Sequence, residues 1–184
     1  IDDVWPTVKK ATNFIESWED EETGLMWYAN EDDNAEYTQG LQGANTSYLA
    51  LRSAARMAKH LGNNELAQSW LARADGLRSA TMDLMYSEEE GFTDYQEDGT
   101  AAGRGWLGWP THFLDYDDPR IQDLMKKRLD DQLALVRGES GNGAYPTKAA
   151  ISSAIVLSNE EDRKRALEIA ERLATEIANE DTWT

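Results

Sequence analysis

The sequence predicts an all-α fold of antiparallel helix hairpins. Three observations carry that expectation. Apolar residues recur at steps of three and four along most of the chain; Gly, Pro and Asx residues mark where those stretches begin and end; and no run of alternating β-branched residues appears.

Pro6 sits where a first helical turn tolerates a missing N–H, and Val8, Ala11, Ile15 and Trp18 then draw one stripe along a first helix. A loop holding Gly24, Asn30, Asp32, Asp33 and Asn34 follows. Leu41, Ala44, Tyr48, Leu51, Ala55 and Ala58 trace the most regular stripe in the chain, stopped at Gly62. Asn63 is the expected cap of a third helix, with Leu66, Trp70, Ala74, Leu77 and Leu84 on its inner face, before a turn at Glu90–Gly91. The second and third helices thus form a hairpin. Helical spacing lapses from Gly91 to Asp118, where Gly99, Gly103, Gly105, Gly108 and Pro110 surround Trp106, Trp109 and His112; an irregular segment this long is usually functional or disordered.

Asp118–Pro119 reads as the cap and first-turn proline of a fourth helix through Ile121, Met125, Leu129, Leu133 and Val136. A turn at Gly141–Gly143 leads to a short helix with Ile151, Ala154 and Ile155. Ser158 and Glu161 then form a capping box for a last helix whose inner face is Ala166, Ala170, Leu173 and Ile177. Trp5, Trp18 and Trp70 fall on helical stripes and are expected in the core. A tetratricopeptide array competes as an architecture through the stretch 62–74, but no second copy follows about 34 residues on. One all-helical segment, 1–184, is the expected organisation.

With 35 acidic and 18 basic residues among 184, the chain carries a formal net charge of -17. That charge repels nucleic-acid phosphates and anionic bilayers, so neither is an expected partner. Only 7 of the basic residues are lysine and the acids are spread along the chain, a pattern found in proteins adapted to concentrated salt. A moderately acidic ordinary surface is the plainer reading. The lack of cysteine excludes a disulfide framework and a thiolate site. No apolar run approaches the roughly 18 residues of a membrane span and no secretory signal opens the chain, so a soluble protein, cytoplasmic or secreted, is expected. The opening at Ile1 suggests a processed or excised piece. His60 and His112 lack the spacing of a zinc site, and no phosphate-cradling loop follows a strand, so no cofactor and no metal are expected.

Three segments, taken in order, resemble the catalytic domain of family 15 glycoside hydrolases, the glucoamylase and glucodextranase group. "TGLMWYANEDDN" at 23–34 is similar to the family's acid-bearing loop. "TSYLALRSAARMAKHLGNNELAQSWLARADGLRSA" at 46–80 resembles the hairpin that follows it, and "GWPTHFLDYDDPRI" at 108–121 resembles the segment leading into the next helix. The resemblance implies a partial (α/α)6 toroid of the six-hairpin glycosidases, about half of a twelve-helix barrel. Two departures stand out. The family's Trp-Glu-Glu reads Asn30-Glu31-Asp32-Asp33, and its Arg-Tyr pair reads Ala144-Tyr145.

Glycoside hydrolysis needs a carboxylic acid to protonate the leaving oxygen and a second carboxylate to act on water or the sugar. The resemblance implies the inverting version, with Glu31 as the leading candidate acid and Asp32 and Asp33 as alternatives; like charges beside one another raise the pKa of one of them. An exposed acidic triplet is, equally, an ordinary solvated loop. The general base is expected beyond the point matching Thr184, so an open half-barrel would self-associate or await a missing partner segment. Trp27, Tyr28, Trp106, Trp109 and Tyr145 are candidate stacking surfaces for a carbohydrate substrate, with His112 beside them; loop-anchoring packing is the alternative role for each. Thr38, Gln39, Gly40 and Gln42 read as the start of the second helix. A non-catalytic helical module that binds carbohydrate or a protein through the Trp-rich loop is the competing functional reading.

Overall fold

The computed structural model describes residues 1–27, 29–30, 37–93, 95, 106–136 and 146–179. These contain six α-helices and two antiparallel ladders of two residues per strand, so the all-α expectation holds. The chain divides into two compact units, Ile1–Arg104 and Gly105–Thr184. No helix among the described residues is long and apolar enough to cross a membrane.

The first unit is built on a hairpin of α2 (Leu41–His60) and α3 (Asn64–Leu84). Every residue of the α2 stripe read from the sequence is buried, and Ala54 widens it. Small residues at Ala44, Ala55 and Ala58 on α2 and at Ala67 and Ala74 on α3 let the helices approach closely, while Tyr48, Leu51, Trp70 and Leu77 fill the seam. Gly62 takes φ 78, the left-handed geometry that closes α2. The inner face of α3 runs through Ala67, Trp70, Ala74, Leu77 and Thr81 and ends at Met85, whereas Leu84 is exposed. At about 100° per residue, position 81 falls between 74 and 77 at the middle of this face, whereas 84 falls at its edge.

Helix α1 (Trp5–Ser17) departs from its expected stripe. Thr12 is its buried residue, Ala11 is exposed, and Trp18 lies past the helix end with 43% of its surface exposed. Trp5 is half-buried and meets the core residue Trp70 edge-on at 5.8 Å. Trp18 stacks instead on exposed Phe14 at 5.4 Å. Thr12 is tolerated inside because its hydroxyl donates to the Val8 carbonyl one turn back, at 2.8 Å. The unit is completed by the ladder of β1 (Ala29–Asn30) with β2 (Tyr37–Thr38) and by the hairpin of β3 (Tyr86–Ser87) with β4 (Gly91–Phe92). Pairs this short leave no alternation to read in a sequence.

In the second unit, Ile121, Met125 and Leu129 of α4 (Pro119–Val136) are fully buried. They belong to one core with Ala150, Ala154 and Val156 of α5 (Pro146–Val156) and Ala166, Ile169 and Ala170 of α6 (Glu160–Asn179). Asp118 caps α4 as expected, accepting the Arg120 N–H at 2.9 Å. Ile151 and Ile155 lie on the exposed side of α5. The capping box at Ser158 does not form. Asn159 caps α6 through the Asp162 N–H at 3.0 Å, and the Ser158 hydroxyl donates to Gln122 Oε1 at 2.8 Å. An acceptor supplied by α4 outcompetes the local motif.

Candidate functional site

The connection from α1 to α2 is pinned at several points. Asp20 accepts the Glu22 N–H on Oδ1 at 3.0 Å and the Gly24 N–H on its carbonyl at 2.7 Å, while its own N–H donates to the Leu25 carbonyl at 2.8 Å. Gly24 takes φ +72 with the Ala80 side chain against it, so this turn needs glycine. Glu19 bridges to Met26, the Trp27 N–H donates to the Trp18 carbonyl at 2.8 Å, and Leu25 is buried beneath. Trp27, the stacking candidate, is left 45% exposed.

Two side chains tie this loop to the hairpin scaffold. Arg73 of α3 pairs with Glu19 at 2.7 Å and donates to the Glu16 carbonyl at 3.3 Å. Burial pushes the Glu19 carboxyl above its ordinary value, against the opposing pull of Arg73 and with help from Glu16. Gln39, 1% exposed, donates from Nε2 to Asp20 Oδ2 at 3.0 Å and to Thr23 Oγ1 at 3.2 Å. The Glu22 N–H, supported by the Gln39 amide and Thr23, holds Asp20 below the usual carboxylate range.

Beside this loop lies an open hollow of about 510 Å³ lined by Glu22, Thr23, Ala80, Asp83, Leu84 and Tyr95. Two carboxyls, a hydroxyl and a phenol ring, with Ala and Leu between them, suit a polyhydroxylated ligand: the oxygens accept hydroxyl hydrogen bonds and the apolar groups meet ring faces. Tyr95 is fixed in place by its N–H, which donates to the Gln39 carbonyl at 3.2 Å.

The second unit presents its own candidate group on the turn before α4. Leu107, Phe113 and Leu114 are fully buried anchors, and Gly108 passes so close to α4 and α5 that a Cβ there would lie 2.8 Å from Val156 Cγ2. The Thr111 hydroxyl donates to the Trp106 carbonyl and accepts the Phe113 N–H, and the His112 N–H donates to the Gly108 carbonyl at 2.7 Å. His112 is exposed at φ 51, a left-handed conformation that costs a non-glycine residue energy unless its neighbours enforce it. Its ring stacks on Tyr116 at 4.7 Å, with Nε2 3.3 Å from the Tyr116 hydroxyl, and burial raises the Tyr116 phenol above its usual value. Trp106 and Trp109 are half-buried, each with part of its surface packed and part open to solvent.

Of the residues singled out from sequence, Trp27 belongs to the first unit and Trp106, Trp109 and His112 to the second. Glu31, Asp32, Asp33, Tyr28 and Tyr145 lie outside the described residues. The structure adds Glu22, Asp83 and Tyr95 around the hollow, Tyr116 beside His112, and Gln39. Asp83 and Tyr95 gave no sequence signal because nothing local distinguishes them from surface residues. Gln39 was readable only as a helix-start residue; its burial depends on a loop 19 residues upstream. No protein-family model matches the chain, and no curated protein matches its sequence.

Proposed function

We propose that this chain is part of a glucoamylase-like glycoside hydrolase that cleaves α-linked glucans or oligosaccharides by an inverting two-carboxylate mechanism, on a partial (α/α)6 toroid. The observation that carries this reading is the hollow between the α1–α2 connection and the end of α3, lined by Glu22 and Thr23 of that pinned loop, by Asp83 of α3 and by Tyr95. The same connection continues in sequence to Glu31, the proposed general acid, with Asp32 and Asp33 as its alternatives. In this reading Glu22 and Asp83 accept sugar hydroxyls, Trp27 offers a stacking face, and a carbohydrate is the partner. The general base comes from a further segment of the barrel.

Hydrolysis of maltooligosaccharides by the chain joined to the barrel segment that supplies the base, as parent, and by its Glu31→Gln variant tests it. The substitution removes the transferable proton, so kcat falls by about two orders of magnitude or more. Unchanged turnover removes Glu31 from the mechanism, and an inactive parent removes the enzyme. The strained His112 beside Tyr116 favours a second reading, a non-catalytic module that binds glucan through the Trp106–Asp118 turn. Binding without hydrolysis, abolished by Trp109→Ala, is its signature.

A further inference from the structure

We propose that Gln39 is a positioning residue for the α1–α2 connection: its buried amide joins the two ends of that connection and holds the hollow and the β1–β2 ladder in one arrangement. The inference rests on the glycosidase reading only in assigning that connection a catalytic purpose.

Gln39 directly follows β2, and its side chain returns to Asp20 and Thr23 at the start of the loop. Its carbonyl takes the Tyr95 N–H. One residue therefore touches the loop that supplies Glu22 and Thr23 and holds Tyr95, three of the hollow's walls. Space-filling does not explain it. Oε1 is buried without a hydrogen-bond partner among the described residues, a destabilising state that leucine would avoid. What leucine lacks is the pair of N–H donors. Asp20 and Thr23 turn toward position 39 to accept them, so the amide sets where the loop lies. Reversing the amide would set Oε1 against the Asp20 carboxylate, so one orientation alone is favoured.

This chemistry can be inverted. Gln39→Glu places two carboxylates together and opens the clamp at neutral pH; in acid the introduced carboxyl is protonated, and its hydroxyl donates to Asp20 and closes the clamp again. A double variant combining Asp20→Asn with Gln39→Glu exchanges the polarity. The new amide at position 20 donates from its nitrogen to the new carboxylate at position 39, while its oxygen still accepts the Glu22 N–H. Amide hydrogen exchange of the full chain, with maltooligosaccharide turnover by the chain joined to the base-bearing segment measured in parallel, reads the outcome. For Gln39→Glu at pH 7 we expect exchange over residues 19–27 and 37–39 to rise about tenfold against the parent while residues 41–84 are unchanged, since local opening is separable from global unfolding. The rise shrinks at pH 4, and the double variant returns to within about twofold of the parent. Turnover follows the same order, through kcat more than KM. Unchanged exchange in the single variant, or a double variant no better than the single, overturns the proposal. Variants that show this exchange pattern, in a parent that hydrolyses nothing even when joined to the base-bearing segment, leave the clamp standing and sink the glycosidase reading instead.

Discussion

Replacing Gly108 by alanine tests whether the turn before α4 is held by close packing. A Cβ at position 108 would lie 2.8 Å from Val156 Cγ2 and 3.2 Å from both Val156 Cγ1 and Ile121 Cγ1. Carbon atoms rest at about 3.5–4.0 Å, so the first contact is short by about 1 Å. Val156 is buried and β-branched, and it cannot swing aside cheaply. Overpacking of this kind costs about 1–3 kcal/mol. Val156→Ala removes two methyl groups and leaves a cavity, costing about 2 kcal/mol. If the two sites were independent, the double variant would lose the sum, about 4 kcal/mol. If they compete for one space, the new methyl fills the vacated volume, and the double variant loses about 2 kcal/mol or less, a coupling within the range seen for touching residues. Urea unfolding at constant m-value measures all three variants. Additive losses would refute close packing at Gly108 as the fixer of the turn.

Two further outcomes concern the first unit. Glu19 is pushed up by burial more than Arg73 pulls it down, so its contribution to stability is complete below its unfolded pKa and is lost as pH rises through the higher folded value. Glu19→Gln therefore matches or exceeds the parent in melting temperature at pH 7 despite the 2.7 Å ion pair, and a loss beyond the roughly 1 kcal/mol that exposed pairs reach would show the pair to dominate. Trp70 is fully buried and its Nε1–H has no partner among the described residues. Thermal unfolding should find Trp70→Phe costing under about 2 kcal/mol, because an unsatisfied donor leaves with the lost volume, against about 3–5 kcal/mol for Trp70→Ala; equal losses would contradict this.

Helix identity and the α2–α3 hairpin were legible from local sequence because they depend on it. The stripe from Leu41 to Ala58, the stop at Gly62 and the cap at Asp118 each act within a few residues. The same rules misplaced Trp18, which continues the α1 spacing but falls one residue beyond the helix and stacks on exposed Phe14 in place of the core. They also gave Ser158 a capping role that Gln122, 36 residues away, takes from it.

The candidate site divides along the same line. Composition and spacing by themselves determined an acidic, cysteine-free, helical chain with an aromatic, carboxyl-rich connection after its first helix. Only the tertiary structure decided that Gln39 is buried against Asp20 and Thr23, that Glu22 and Asp83 line one hollow, and that His112 meets Tyr116 in a left-handed turn. Periodicity fixes which face of a helix is apolar; which polar groups meet across distant segments depends on how the packed backbone brings their atoms within about 3 Å.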